Sequence, residues 1–409
     1  MTRVVITGMS AITPIGQSWD AIAAALRSYQ SAVVHMDQWQ CYNDLRTRLG
    51  CPVTTFSAPS HYSRRQTRSM GRVALMAAAA TESALEQAGL LDHPVLHSGE
   101  MGIAYGSSSG SPKAIGDFGN MLLNNSMNGL NANTYIRMMS HTAPVNIGVM
   151  FGIKGRVITT SSACTSGSQG IGYAYEAIKS GYQKLMIAGG SEELDAIQAA
   201  VFDTLFATST CNEGPTTTPR PFDRDRDGLV IGEGAATLIL EDLDHALDRG
   251  AAIVAEVVGF ATNSDGSHIT QPESSTMQVV MEKALAQAKI DASAIGYINA
   301  HGTATDRGDI AESRATVNVF GSHTPISSIK SFIGHTLGAC GAIEAYTSIQ
   351  MMIDNWFAPT INLENVDNQC ASLDYIMHEG REIQCDYVMS NNFAFGGINT
   401  SLVFKRWED

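Results

Sequence analysis

Short apolar runs alternate along the chain with segments in which apolar residues recur every three or four positions. Runs rich in valine, isoleucine and methionine predict buried strands, for example at 4–8, 101–105 and 184–188. The longer periodic segments predict helices, including an alanine-rich helix over 70–88. Strands that alternate with helices in this way predict an α/β fold in which helices cover mostly parallel sheets.

Both halves of the chain carry such strand-then-helix units, and the loops of these units hold the unusual polar residues. This arrangement predicts a duplicated architecture, although no clear sequence repeat is visible. We place the boundary near Gly250, which gives an N-terminal half over 1–250 and a C-terminal half over 251–409.

Composition narrows the possible functions. The 409 residues are 44% apolar and 16% charged, which is typical of a well-buried globular protein. A net charge of −14, without a lysine- or arginine-rich run, argues against nucleic acid as a partner. The seven cysteines include no Cys-x-x-Cys pair, which argues against a zinc knuckle and favours the reducing cytoplasm. The first residues do not resemble a signal peptide, and no apolar run is long enough to cross a bilayer.

Cys164 lies between a predicted strand over 157–160 and a predicted helix that ends near Gly181. At a strand-to-helix turn, free N–H groups and the positive end of the helix dipole favour a thiolate. Small neighbours leave the sulfur open to attack a substrate. A free cysteine is also commonly a small buried core residue. This stretch alone therefore leaves both interpretations open.

Arginines 64, 65, 68 and 72 recur at mostly three- and four-residue spacing before the alanine-rich helix. We expect them to share one face of its first turns. Such a charge run is ordinarily a solvated helix face. In so acidic a protein, a basic cluster also suggests an anionic partner, and the spacing does not decide between these readings.

Two histidines stand beside glycine and threonine, and we expect both at the carboxyl ends of strands, where α/β proteins collect their sites. If His301 and His335 converge on Cys164, a thiolate supplies covalent catalysis, and two neutral imidazoles that donate N–H bonds stabilise an enolate or a carboxylate-derived anion. Carboxylates (Asp309, Glu312), an ammonium (Lys330) and hydroxyls (Thr303, Thr305) lie near the histidines in sequence, although an acidic pair at a helix start and a surface lysine would give the same pattern. The glycine-containing tail (Phe395, Gly396, Gly397) comes much later in the chain and could bring a backbone N–H close to the sulfur. This set suits carbon–carbon bond formation through an acyl thioester better than the hydrolysis of a cysteine protease.

At this point several motifs are recognisable in order: Ser-Ser-Ala-Cys-Thr-Ser-Gly, Pro-Phe-Asp-Arg-Asp-Arg-Asp-Gly, His-Gly-Thr-Ala-Thr-Asp, Lys-Ser-Phe-Ile-Gly-His-Thr-Leu-Gly and Asn-Phe-Ala-Phe-Gly-Gly-Ile-Asn. Across essentially its whole length the chain resembles the elongating β-ketoacyl-[acyl carrier protein] synthases of the thiolase superfamily. The resemblance implies a five-layer αβαβα thiolase-like fold with two duplicated halves, working as a dimer across a continuous sheet.

The resemblance also implies residue roles. Cys164 looks like the acylated nucleophile, and His301 and His335 look like the pair that promotes decarboxylation of a malonyl thioester. The remaining implied roles are support by Lys330 and Glu312, pantetheine contact by Thr303 and Thr305, gating and substrate contact by Phe395 and Gly396, and docking of acidic carrier protein by Arg64, Arg65 and Arg68. The backbone N–H groups of Phe395 and Cys164 are implied as the oxyanion hole. The resemblance implies no metal or dissociable cofactor, because the acyl and malonyl groups are attached to the phosphopantetheine of acyl carrier protein.

Two positions depart from the family pattern. Ala394 stands where the family usually has glycine before the phenylalanine, and alanine restricts the backbone of that gate. The segment 124–133, which we interpret as a surface loop, lacks the basic residues that housekeeping members often place there. Both departures favour a specialised pathway such as type II polyketide or polyene synthesis over housekeeping fatty acid synthesis. A heterodimer with a cysteine-less partner, a degradative thiolase and a non-catalytic partner subunit remain as alternatives.

Overall fold

A computed structural model describes residues 2–408, and eleven of the strands in that range form one large sheet. The strands are β1 Val4–Ile12, β2 Val34–His35, β3 Leu49–Cys51, β4 Met101–Gly106, β5 Val157–Thr160, β6 Leu185–Glu192, β7 Ile231–Gly232, β8 Gly234–Asp242, β9 Ala255–Ser264, β10 Ile295–Asn299, β11 Pro325–Ser327, β12 Trp356–Phe357, β13 Asp374–Tyr375, β14 Arg381–Glu382, β15 Tyr387–Ala394 and β16 Ile398–Arg406. The α-helices are α1 Trp19–Arg27, α2 Arg64–Thr67, α3 Arg72–Gln87, α4 Pro112–Asn124, α5 Ala132–Met138, α6 Thr142–Phe151, α7 Ser166–Lys179, α8 Ala196–Asp203, α9 Leu243–Asp248, α10 Ser274–Ala288, α11 Asp306–Phe320, α12 Lys330–Ile333 and α13 Cys340–Asp354.

The large sheet consists of two equivalent halves that meet where β1 pairs with β9. Outward from that junction, one half runs β1, β8, β6, β4, β5, and the other runs β9, β16, β15, β10, β11, with the short strand β13 added at its outer edge. In each half the first two pairings are antiparallel and the next two are parallel. This identical succession confirms the duplicated architecture that the sequence pattern predicts.

The prediction of mostly parallel sheets was wrong, because the central strands of each half run antiparallel. The reason is that β8, a nine-residue strand, is buried along its whole length. A strand covered on both faces is apolar throughout whatever its direction, so its sequence cannot report that direction.

Helices α7 and α13 form the middle layer, since both pack against strands from both halves of the sheet. They approach each other closely, and a Cβ atom at Gly167 would lie 2.8 Å from the backbone nitrogen of Ala342. Helix α3 covers β1 and β8 on one outer face, while α10 covers β9 and β16 on the other. These layers bring the starts of α7 and α13 together at the centre of the molecule.

Two local predictions differ from the structure. The first strand does not end at Gly8 but bulges there and continues to Ile12. A Cβ atom at Gly8 would lie 2.2 Å from the carbonyl oxygen of Ala84, so glycine lets α3 approach the strand. The segment 124–133 is a loop only between α4 and α5.

The four arginines do not share the first turns of one helix, so that prediction was wrong. Ser63 caps the separate short helix α2 with a capping box, and the extended backbone of Gly71 separates that helix from α3. Arg72 turns inward to pair with Glu233 at 2.8 Å, whereas Arg64, Arg65 and Arg68 are exposed.

Within residues 2–408, no helix is long and apolar enough to cross a membrane. The division of the chain at residue 250 into two domains stays a prediction, because the large sheet runs continuously through both halves.

Candidate active site

Cys164 lies at the strand-to-helix turn that the sequence predicts, between β5 and the first turn of α7. The preceding residue, Ala163, has a φ of +51°, a left-handed conformation that alanine seldom adopts. This turn places Cys164, with only 3% of its surface exposed, on the wall of a cavity of about 530 Å³. The nucleophile candidate is therefore buried beside an open space.

The two histidines converge on this cysteine. The Nε2 atom of His335 lies 3.0 Å from the Sγ atom of Cys164, and the two imidazole centroids are 5.2 Å apart. His301 follows strand β10 as expected. His335 does not end a strand, because β11 stops at Ser327 and the short helix α12 intervenes. His335 is instead held by its backbone N–H, which donates to the carbonyl oxygen of Val230 at 2.7 Å.

The hydrogen-bond partners of the histidines assign their tautomers. The backbone N–H of Leu337 donates to Nδ1 of His335, at 3.3 Å. Lys330 Nζ and Asn392 Nδ2 lie 3.3 and 3.4 Å from Nδ1 of His301, and both of these groups can only donate. Each neutral ring must therefore carry its hydrogen on Nε2.

A buried charge network supports His301 from behind. Lys330 forms an ion pair with Glu344, and both side chains are almost completely buried. Asn392 donates to the same carboxylate at 2.6 Å and so links it to the imidazole. Although burial lowers the pKa of Lys330, Glu344 raises it above its ordinary value, so the ammonium stays charged.

Burial also sets the protonation of the reacting groups. It lowers the pKa values of His301 and His335 well below the ordinary range, and the charge of Lys330 lowers them further. Both imidazoles are therefore neutral near pH 7.

The expectation of a thiolate at the helix start was wrong for the free side chain of Cys164. Burial raises the pKa of Cys164 to about 11, against the lowering effects of the Phe395 and Cys164 backbone N–H groups and of Lys330. Desolvation of a charged sulfur outweighs the electrostatics of the helix end at this depth.

The carboxylates near His301 shape the turn and do not contact the imidazole. Glu312 accepts the backbone N–H groups of His301 and Gly302, both at 2.7 Å. Asp309 accepts from Thr303 at 3.1 Å. The hydroxyls of Thr303 and Thr305 lie 2.9 Å apart, and both residues line the cavity.

The tail loop closes another side of the cavity. Phe395 lines it and packs edge-on against Phe202, with ring centroids 6.1 Å apart. Ala394 is the last residue of β15, and its carbonyl accepts from Gly397 at 2.9 Å. Gly396 does not line the cavity; it is exposed and donates to the carbonyl of Ile269 at 2.9 Å. The exposed arginines of α2 also lie outside the cavity lining.

Sequence reasoning missed two residues of the site. Glu344 is a buried carboxylate in the first half of helix α13, and Asn392 lies within the buried strand β15. A charge in the mostly small and apolar first half of this helix was the available signal for Glu344, since such a charge must find a partner.

Comparisons with known proteins agree with this geometry. The β-ketoacyl synthase N-terminal domain family matches residues 1–246, and its C-terminal domain family matches residues 254–364. The 3-oxoacyl-[acyl-carrier-protein] synthase 2 of Synechocystis sp. is 36% identical over 99% of this chain and 98% of its own length. The chain therefore belongs to the β-ketoacyl synthase family.

Solved structures extend this result to the whole fold. A β-ketoacyl synthase from Burkholderia phymatum STM815 is 57% identical, with a TM-score of 0.99 and full coverage of both chains. The ishigamide ketosynthase/chain length factor is 28% identical, with a TM-score of 0.90 and full coverage of both chains. The thiolase-like α/β fold expected from the resemblance is confirmed.

Proposed function

We propose that this protein is a condensing acyltransferase that makes 3-oxoacyl-carrier protein and CO2 from malonyl-carrier protein and an acyl thioester. The observation that carries the proposal is the 3.0 Å contact between Cys164 Sγ and His335 Nε2, with neutral His301 alongside, on the wall of one cavity. Relatives across the full chain are named 3-oxoacyl-[acyl-carrier-protein] synthases, which supports the same reaction class here.

The first half-reaction is a thioester exchange. The Cys164 sulfur attacks the acyl carbonyl, the new carbon–sulfur bond replaces the old one, and the carrier leaves as a free thiol with the proton of Cys164. The backbone N–H groups of Phe395 and Cys164 lie close enough to the sulfur to lower its pKa. We assign them to stabilise the oxyanion that forms beside that sulfur.

The second half-reaction depends on the histidines. Their Nε2–H groups donate to the thioester carbonyl of the malonyl group, so that loss of CO2 leaves an enolate held by two hydrogen bonds. The enolate carbon attacks acyl-Cys164, and the cysteine sulfur departs and takes up a proton. Neutral donors suit this step because they stabilise the anion without protonating it at once. No metal or organic cofactor enters this scheme.

Mass spectrometry of the intact protein tests the first step. After incubation with acyl-carrier protein we expect one acyl group, located on Cys164 by peptide mapping. Absence of an adduct on Cys164 would refute the enzyme assignment and favour the non-catalytic partner subunit. Product analysis with a malonyl donor and a panel of acyl primers then reports chain length and separates the fatty acid pathway from a polyketide or polyene pathway.

A degradative thiolase would place a second cysteine in the C-terminal loop. Here that loop holds Phe395, Gly396 and Gly397. The buried cysteine nearest the nucleophile is instead Cys340, whose thiol donates to the carbonyl of Cys164 at 3.2 Å from the start of α13. This placement supports condensation over thiolysis.

We also propose that a second ketosynthase-like chain covers the outer edge of β5. That strand ends the large sheet among the described residues, and Val157 on it and Val149 on the adjacent helix α6 are exposed. An unpaired apolar edge strand favours pairing with another chain. Light scattering of the purified chain distinguishes a homodimer from a monomer that needs a partner such as a chain length factor.

Arg64, Arg65 and Arg68 are assigned to carrier docking, since all three are exposed on a protein whose net charge is −14. Reversing all three to glutamate should raise KM for acyl-carrier protein without changing acylation by a small thioester.

We assign the protein to a reducing compartment such as the cytoplasm, in keeping with its seven free cysteines.

A further inference from the structure

The charged side chains that line the cavity differ in how they are held. Arg226 is buried in an ion pair with Asp367 at 2.6 Å. Asp265 accepts from Asn399 at 2.7 Å, and the other lining carboxylates also have partners. Arg307 is the exception: it is exposed and makes no ion pair or side-chain hydrogen bond with any residue in the range 2–408.

Helix stability does not explain the position of this arginine. Arg307 is the second residue of α11, where the positive end of the helix dipole disfavours a cation. The neighbouring Asp306 contacts Arg226 at 3.5 Å and, among the described residues, forms no ion pair with Arg307. An unpaired cation at an unfavourable helix position, on the rim of a cavity, points to an anion supplied from outside.

The location of Arg307 fits one part of the proposed substrate. Thr303 and Thr305 come just before it and present hydroxyls to the same cavity, while Cys164 lies at its buried wall. A pantetheine thioester that reacts at Cys164 would pass the hydroxyls and end in a phosphate ester near the exposed rim. A guanidinium can donate two parallel N–H bonds to such a group.

We propose that Arg307 is a subsite for the phosphate ester at the end of the pantetheine arm. The proposal rests on the proposed function, because it identifies a recognition element for the substrates of the same cavity. Arg307 contributes to substrate binding, and the acylation chemistry at Cys164 does not need it.

The test compares two small substrates that differ only in the phosphate: acyl-phosphopantetheine and acyl-pantetheine. For the native chain we expect kcat/KM for acylation of Cys164 to be about fivefold to tenfold higher with the phosphorylated substrate, as for one exposed charge-assisted hydrogen bond. Arg307→Ala should abolish this preference, and Arg307→Lys should keep part of it. The matched control is Arg314→Ala, on the same helix but outside the cavity lining, which should keep all of it.

Acyl-coenzyme A and acyl-carrier protein serve as further arms, because both present the pantetheine phosphate. A loss with both shows recognition of the shared phosphate, whereas a loss with carrier protein alone would overturn the proposal in favour of a protein–protein contact. An equal preference in native chain and Arg307→Ala, or no preference in the native chain, would also overturn it. Failure of every thioester to acylate Cys164 would instead refute the proposed function.

Discussion

Helices α7 and α13 occupy equivalent places in the two halves of the molecule, yet they supply opposite kinds of chemistry. The turn before α7 carries Cys164 among small residues, and burial keeps its thiol protonated. The region before α13 carries His335, and the helix itself holds Glu344, which pairs with Lys330 behind His301. One half therefore provides a buried nucleophile, and the other provides two imidazole hydrogen-bond donors that are supported by a buried ion pair.

This difference teaches how a duplicated fold can divide one reaction into two. The acyl group is stored among small residues at the start of α7, where a neutral thioester costs little to bury. The anion forms on the side where donors and their supporting charges are already in place, so little reorganisation is needed when the charge appears.

The largest effect that separates the two sides comes from His301→Ala. We expect CO2 release from malonyl-carrier protein to fall about 10²- to 10³-fold, because one of two donors to the enolate is lost. Acylation of Cys164 should change less than about threefold, since His335 and not His301 contacts the sulfur. Single-turnover kinetics of both half-reactions measure this, and equal losses in both would contradict the division.

Removing the positive charge of Lys330, which supports His301, should lower the stability of the fold. Lys330→Met leaves Glu344 buried without its cation, and we expect the free energy of unfolding to fall by roughly 3–5 kcal/mol. The double variant Lys330→Met with Glu344→Gln should recover most of that loss. Urea denaturation compares the native chain with the two variants. A single variant as stable as the double variant would show that an unpaired Glu344 carboxylate does not destabilise the fold.

The pH dependence of alkylation should reveal the raised pKa of the Cys164 thiol. With the exposed Cys41 and Cys211 replaced by serine, iodoacetamide should modify Cys164 about tenfold faster for each pH unit between 7 and 10. The sign follows from the pKa of about 11, because the reactive thiolate is the minor form throughout that window. A plateau already near pH 7 would mean that the resting cysteine is ionised.

The smallest effect concerns the loop that faces the cysteine. Ala394 is buried and does not have a positive φ, so Ala394→Gly fits the same backbone while loosening it by roughly 0.5–1 kcal/mol. We expect the rate of Cys164 acylation to rise about twofold to fivefold. Ala261→Gly, in the buried strand β9, is the control. An unchanged acylation rate would show that this residue does not limit the gate.

The sequence was sufficient to predict those site residues that lie at the ends of strands or at the starts of helices. Cys164 at its turn and His301 after its strand stand out because glycine and small residues surround them. Glu344 and Asn392 did not stand out, because each lies within a buried element and its importance arises only from contacts across the fold. The strand directions and the break at Gly71 also needed tertiary structure, since burial and local backbone conformation decided them.

The most direct test of the two-sided account measures CO2 release by Cys164→Ala. The account predicts that this variant neither carries an acyl group nor condenses, yet still releases CO2 from malonyl-carrier protein at or above the native rate, because both histidine donors keep their supports. A variant that releases no CO2 while His301 and His335 stay in place would contradict it, since decarboxylation would then require the thiol.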